Sequence, residues 1–97
     1  MGAKSLGRLF NLTTLKLNNN NINQINTEDP VFSSMKNLTY LDLSRNKCTY
    51  LPKHIFQGLK NLKTLKLNKN ELGHRFGETG LSLFQNLYKL EILDLSN

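Results

Sequence analysis

Apolar residues recur along this chain in one short, fixed pattern. Four six-residue segments have leucine at their first, fourth and sixth positions, and the first of these is called the opening leucine. The segments are Leu12-Thr-Thr-Leu15-Lys-Leu17, Leu38-Thr-Tyr-Leu41-Asp-Leu43, Leu62-Lys-Thr-Leu65-Lys-Leu67 and Leu90-Glu-Ile-Leu93-Asp-Leu95. In the first three, an asparagine follows three residues after the last leucine, and an apolar residue (Ile22, Cys48 or Leu72) follows two residues later. This recurrence predicts a repeat protein whose units each form one supersecondary element.

The spacing inside each segment predicts a strand. Leu15 and Leu17 are two residues apart, so both point to one face, whereas Thr14 and Lys16 point to the other. One repeat cannot bury its leucine face alone, so successive repeats must stack and their strands must pair in parallel. We therefore expect residues 1–97 to form a single segment, with strand motifs near 12–20, 38–46, 62–70 and 90–97.

A second apolar pattern precedes the strands. Phe32, Phe56 and Phe84 lie six residues before the next opening leucine, and Met35, Leu59 and Leu87 lie three residues before it. Spacings of three predict short helical or 3₁₀ turns on the side of the repeat away from the sheet.

The recurring asparagines are predicted to be structural. Asn20, Asn46 and Asn70 each lie in the turn that follows a strand. A buried turn leaves backbone groups unpaired at about 1–3 kcal/mol each unless a side chain pairs them. We expect an asparagine ladder that binds the backbone of neighbouring turns.

Charge and cysteine content narrow the function classes. The formal net charge is +6, from 13 Lys plus Arg against 7 Asp plus Glu. Nucleic acid or an anionic membrane could attract such a chain, but the basic residues are scattered, which favours an ordinary solvated surface. The one cysteine, Cys48, cannot form an intramolecular disulfide and occupies a core position. No segment is apolar enough for direct membrane insertion, and the N-terminus lacks the apolar run of a signal peptide.

Few residues indicate chemistry. Two N-x-[ST] sequons, at Asn11 and Asn37, occupy the same phase of the repeat and are glycosylation candidates in a secreted parent. His54 and His74 are expected to be ordinary exposed histidines. No acid/base pair, nucleophile or metal-ligand set recurs at usable spacing, which predicts a protein that is not an enzyme and that needs no cofactor or metal.

The repeat resembles the ectodomain repeats of Toll-like receptors. The resemblance rests on L-x-x-L-x-L-x-x-N with the F-x-x-L-x-x-L lead-in, on the phrase Asn37-Leu-Thr-Tyr-Leu-Asp-Leu-Ser44, on one 24-residue repeat with Leu51-Pro52-x-x-x-Phe56, and on the sequons. It implies an α/β leucine-rich-repeat solenoid with a parallel sheet on the concave side. It also implies an innate-immune parent in the extracellular space or endosomal lumen, which binds a microbial or nucleic-acid ligand and dimerises.

Two other readings stay open at this point. Variable lymphocyte receptors and other leucine-rich-repeat adhesion or antigen receptors share much of the pattern. A basic nucleic-acid-binding repeat segment is the second, and it predicts binding that weakens steeply with salt.

The concave face is where this architecture would bind a macromolecule. The contact candidates there are Lys16, Tyr40, Asp42, Arg45, Lys66, Lys69 and Asp94. The cysteine-rich caps that the resemblance leads one to expect are missing from these residues. We therefore expect uncapped ends that stack head to tail, with Asp94 of one copy beside Lys16 of the next.

Overall fold

A computed structural model describes residues 11–22, 32–52, 54–73 and 82–96. Their strands are β1 (Thr14–Lys16), β2 (Tyr40–Asp42), β3 (Thr64–Lys66) and β4 (Ile92–Asp94). The four strands form one sheet in the order β1-β2-β3-β4, and every neighbouring pair is parallel. The predicted parallel sheet is confirmed, and each strand lies inside one leucine motif.

The register of the sheet follows the sequence repeat. Leu15 pairs with Leu41, Leu41 with Leu65, and Leu65 with Leu93. Backbone pairing continues past the short strands, since the N–H of Leu17 donates to the carbonyl of Asp42 at 2.8 Å and that of Leu43 donates to Lys66 at 2.8 Å. Equivalent residues of successive repeats therefore lie side by side.

Tight turns precede the strands. The N–H of Met35 donates to the carbonyl of Phe32 at 3.0 Å, and the N–H of Leu38 donates to that of Met35 at 3.1 Å. The same pair of bonds joins Phe84, Leu87 and Leu90, at 3.0 and 3.1 Å. These are three-residue spacings, as in a 3₁₀ turn, and residues 82–84 are helical.

The core lies between the sheet and these turns. Its buried members are Phe32, Met35, Leu38, Leu41, Leu43, Cys48, Leu51, Ile55, Phe56, Leu59, Leu62, Leu65, Leu67 and Leu87. The rings of Phe56 and Phe84 are stacked with centroids 6.0 Å apart. Burial is deepest in the second and third repeats, because each has a described neighbour on both sides.

The leucines in β4 and directly after it are the exception to this burial. Leu93 and Leu95 are 36% and 42% exposed, whereas their equivalents Leu41 and Leu43 are 0% and 4% exposed. The sequence pattern is the same in both repeats, so the difference comes from the place of β4 at one edge of the sheet.

The polar face of the sheet and its asparagine ladder

Side chains opposite the core form three parallel rows, which we call the outer sheet face. Strand alternation and the observed register fix the rows. The first row contains Thr14, Tyr40, Thr64 and Ile92, and the second contains Lys16, Asp42, Lys66 and Asp94. The third, just beyond the strands, contains Asn18, Ser44, Asn68 and Ser96. This face corresponds to the predicted concave side.

The second row alternates in charge. Lys16 pairs in register with Asp42, Asp42 with Lys66, and Lys66 with Asp94. Opposite charges on neighbouring strands attract, although exposed pairs contribute only about 0–1 kcal/mol each. The row therefore favours one stacking register more than it adds stability.

Asp42 differs from its expected role as an exposed contact residue. Its side chain is only 7% exposed, and Ser44 is buried beside it. The Ser44 backbone N–H and hydroxyl both donate to Asp42 Oδ1, at 2.9 and 2.6 Å. This local turn folds the carboxylate onto its own backbone, and it lies between two flanking strands.

Asp94 repeats this turn in a half-buried setting at the edge of the sheet. The Ser96 hydroxyl and backbone N–H donate to Asp94 Oδ1, at 2.7 and 3.0 Å. The hydroxyl bond, then the backbone bond, then the charge of Lys66 hold the pKa of this carboxyl below its usual value. Asp94 thus keeps its negative charge to a lower pH than a free aspartate.

Tyr40 and Ile92 give the outer sheet face an apolar component. Lys16 Nζ lies 5.9 Å from the centroid of the Tyr40 ring, within the range of a cation–π contact. Ile92 is 56% exposed at the β4 end of the same row as Tyr40. The face therefore offers one aromatic ring, one branched apolar side chain and charges of both signs.

Arg45 and Lys69 lie in the turns that leave β2 and β3. Both are exposed, and they share a left-handed backbone with Asn19, with φ of 58°, 62° and 61° respectively. Backbone hydrogen bonds hold this conformation. The N–H of Arg45 donates to the carbonyl of Asn68 at 3.0 Å, and the N–H of Lys69 donates to the carbonyl of Ser96 at 2.9 Å. Sequence analysis missed this conformation; Asn19 at the equivalent position was the available signal, since asparagine tolerates it.

Asn46 is the most connected side chain of the asparagine ladder. It is 1% exposed. Its Oδ1 accepts the backbone N–H groups of Asn20 at 2.7 Å and Ile22 at 3.2 Å. Its Nδ2 donates to the carbonyls of Leu17, Leu43 and Ser44, at 2.9, 3.0 and 3.1 Å.

Asn70 makes the same contacts one repeat later. Its Oδ1 accepts from the N–H of Asn46 at 3.1 Å and of Cys48 at 2.9 Å, and its Nδ2 donates to Leu43 at 2.9 Å and Leu67 at 3.0 Å. Asn20 differs, because among the described residues its exposed side chain donates to the carbonyl of Asn18 alone, at 3.1 Å. The three predicted ladder residues therefore occupy one motif position in two different environments.

Cys48 occupies the core beside the ladder. It is 4% exposed, and its thiol donates to the carbonyl of Tyr50 at 3.1 Å. Burial raises the pKa of the thiol, against a smaller lowering by the Tyr50 contact. A recess of about 10 Å³ lies beside it, since cysteine is smaller than the Ile22 and Leu72 at the equivalent positions.

The sequon asparagines and His54 are surface residues. Asn11, Asn37 and His54 are exposed, so each side chain is accessible to solvent. The Thr39 hydroxyl of the second sequon donates to the carbonyl of Thr13 at 3.1 Å. His74 lies outside the described residues.

The described residues contain no group of three His, Cys, Asp or Glu side chains suited to a metal ion. Within the same ranges, no helix has the length and apolar character of a membrane span.

Comparison with known proteins agrees with the geometry. The leucine-rich-repeat family model matches residues 10–72. Toll-like receptor 4 of Pinctada imbricata is 37% identical over a 105-residue alignment that covers 89% of this chain. Toll-like receptor 4 of Pongo pygmaeus is 39% identical over 76 residues, or 78% of this chain. The chain spans 11% and 9% of the lengths of these two relatives. With its parallel sheet and recurring leucine motif, the chain belongs to the leucine-rich-repeat family, and its repeats resemble those of Toll-like receptor ectodomains.

Proposed function

We propose that this chain is a segment of an innate-immune pattern-recognition receptor ectodomain, in which the outer sheet face is a non-catalytic binding surface. The observation that carries the proposal is the arrangement of Tyr40, Lys66 and Ile92 on one face of a sheet whose opposite face is the core. Aromatic side chains on a rigid scaffold are typical of recognition surfaces, and the Lys66 ammonium group adds a positive charge that can pair with an anionic ligand.

The parent receptor would act in the extracellular space or the endosomal lumen. The two Toll-like receptor relatives support this location, and the exposed sequons at Asn11 and Asn37 suit a secreted domain. Its ligand would be microbial or a nucleic acid, and the parent would dimerise. Adhesion and antigen receptors of the same family are the alternative for the parent.

Binding to purified bacterial lipopolysaccharide and to double-stranded RNA tests the role of the outer sheet face. The double variant Tyr40→Ala/Lys66→Ala should weaken binding of the recognised probe at least tenfold. The matched control is Tyr50→Ala/Lys47→Ala, which removes one exposed tyrosine and one exposed lysine from other parts of the surface. Equal binding by the two double variants would contradict the assignment to this face.

We also propose that copies of this chain stack head to tail, with β4 of one copy against β1 of the next. Two observations support the stacking: the exposure of Leu93 and Leu95, and the charge alternation, which Asp94 beside Lys16 would continue. A heterologous contact of this kind extends into filaments or rings and does not stop at a dimer.

Sedimentation velocity across a concentration series, with negative-stain images of the same samples, tests the stacking. Large species should grow with concentration, and Leu95→Ser should shift the distribution back toward the monomer. Tyr50→Ser is the control, because Tyr50 is 60% exposed but belongs to a different repeat from β4. A folded monomer at every concentration would refute the stacking.

A further inference from the structure

A group of lysines lies at the N-terminal end of the strands. Arg45 and Lys69 lie at the opposite, C-terminal end. Lys36 and Lys60 occupy equivalent positions two residues before Leu38 and Leu62, and Tyr88 occupies the same position before Leu90. Lys89 follows Tyr88 directly. We call Lys36, Lys60, Tyr88 and Lys89, with Asn61 between them, the lysine edge.

Asn61 connects the three repeats of the lysine edge. Its Nδ2 donates to the carbonyl of Lys36 at 2.7 Å, and its Oδ1 accepts from Lys89 Nζ at 2.9 Å. These contacts show that the turns before β2, β3 and β4 are adjacent. They also hold the ammonium group of Lys89 in place on an exposed surface.

The fold alone does not explain this arrangement. All three lysines are exposed, and Lys36 and Lys60 occupy neighbouring turns, where like charges repel. Tyr88 is 79% exposed, more than any other large hydrophobic side chain of the described residues. Its hydroxyl donates to Asn86 Oδ1 at 3.2 Å, which anchors the ring at the surface of the protein.

Within four residues of the three lysines, the described part of the chain contains a single acidic residue, Glu91. The backbone N–H of Glu91 donates to the carbonyl of Lys63 at 2.8 Å. Glu91 therefore lies beside a further exposed lysine, Lys63, which directly precedes β3. The described residues of the lysine edge thus carry an excess of positive charge.

We propose that the lysine edge is a second binding surface, separate from the outer sheet face, and that it binds a sulfated or uronic-acid polysaccharide. Lysine ammonium groups act as point charges and tolerate sulfates and carboxylates in many orientations. The Tyr88 ring offers a flat apolar face on which the C–H face of one sugar ring can pack.

The dimensions of the edge favour a polysaccharide over nucleic acid. Single-stranded nucleic acid is bound by several aromatic side chains on which successive bases stack, whereas the lysine edge has only Tyr88. Double-stranded RNA is recognised across about 16 base pairs. The lysine edge extends over three neighbouring repeats, which at about 5 Å each are far shorter than such a duplex.

Affinity for immobilised heparin, a sulfated polysaccharide, tests the proposal with the whole chain. The triple variant Lys36→Gln/Lys60→Gln/Lys89→Gln should bind heparin at least tenfold more weakly. A charge-matched control, Lys16→Gln/Lys66→Gln/Lys69→Gln, removes three positive charges from the other side of the sheet and should change heparin affinity less than twofold. Tyr88→Ala, which leaves the net charge unchanged, should weaken binding about threefold.

Each contrary result overturns the proposal in a definite way. Equal weakening in the two triple variants would mean that net charge alone attracts heparin, and unchanged binding in the lysine-edge variant would refute the site. If the lysine-edge variant does not fold by circular dichroism, Tyr88→Ala and the single variant Lys60→Gln decide the question. Tighter binding to a 12-nucleotide single-stranded DNA or to phosphatidylserine vesicles, lost in the lysine-edge variant, would reject the polysaccharide as the ligand.

Discussion

The backbone N–H of Asn46 donates to the side-chain oxygen of Asn70 across 3.1 Å, so two members of the ladder are bonded directly between neighbouring turns. Asn46 in turn accepts two N–H groups from the turn before it. Each buried asparagine thus replaces hydrogen bonds that the turn backbone cannot make by itself. The turns are held by side chains much as the strands are held by their backbone.

Asn46→Ala should lower the free energy of unfolding by about 3 kcal/mol, because the partly buried N–H groups of Asn20 and Ile22 lose their acceptor and the buried carbonyls of Leu43 and Ser44 lose a donor. Urea denaturation followed by circular dichroism measures the loss. The matched control is Asn20→Ala, which removes a single exposed bond to Asn18 and should cost less than about 1 kcal/mol. Similar losses for the two variants would contradict the difference in their roles.

Gly58→Ala should destabilise the fold by about 1–3 kcal/mol, since a side chain is strained in the left-handed backbone of this residue. Its φ is 92°, and an added Cβ would lie 2.9 Å from both the Cα and the carbonyl oxygen of Ser33. Thermal unfolding measures the change. Gly73→Ala is the control, because no described atom beyond the adjacent residues lies within 4 Å of a Cβ there, and a shift within about 0.5 kcal/mol is expected. A larger loss at Gly73 than at Gly58 would refute this account.

Cys48 should make stability depend on alkaline pH. Burial raises the pKa of its thiol in the folded state, so the stabilising contribution is fully present below the unfolded pKa, about 8.5, and is lost as pH rises toward the folded pKa. Urea midpoints measured from pH 7 to pH 10 should fall more steeply for this chain than for Cys48→Ala. Parallel pH profiles would show that the thiol does not contribute.

Ser96 should control the ionisation of Asp94 more than Lys66 does. The pKa of Asp94 is lowered first by its two bonds from Ser96 and only afterwards by Lys66. An NMR titration should therefore show a larger rise in the Asp94 pKa for Ser96→Ala than for Lys66→Gln. Because the folded-state pKa is depressed, the associated stability is present above the unfolded pKa and is lost as pH falls through the folded value. The reverse order of the two rises would contradict this ranking.

The architecture could be predicted from sequence because one spacing rule fixes it. The two-residue separation of Leu41 and Leu43 assigns both to the core face, and stacking of identical motifs fixes which residues are neighbours. The burial of a side chain could not be derived in the same way, because it depends on where the repeat lies within the stack. Asp42 and Asp94 share the sequence Asp-Leu-Ser, yet only Asp42 is buried, because its burial depends on strands far away in the chain.

The lysine edge shows a second limit of sequence analysis. The hydrogen bond between Asn61 and Lys89 joins residues 28 positions apart, in two successive repeats. A motif aligned on its leucines places the two residues at equivalent positions, but it does not show that one side chain reaches the other. Side-chain conformation on an open surface is decided by local packing and not by the repeat period.

The charge alternation along the second row distinguishes changes of an even number of repeats from changes of an odd number. Lys16, Asp42, Lys66 and Asp94 alternate one strand at a time. Excising the β3 repeat alone would bring two aspartates side by side, whereas excising β2 and β3 together would leave lysine next to aspartate. Duplication or loss of repeats in pairs thus preserves the electrostatic match that single events break. By this criterion, the smallest interchangeable module of the array is a pair of repeats.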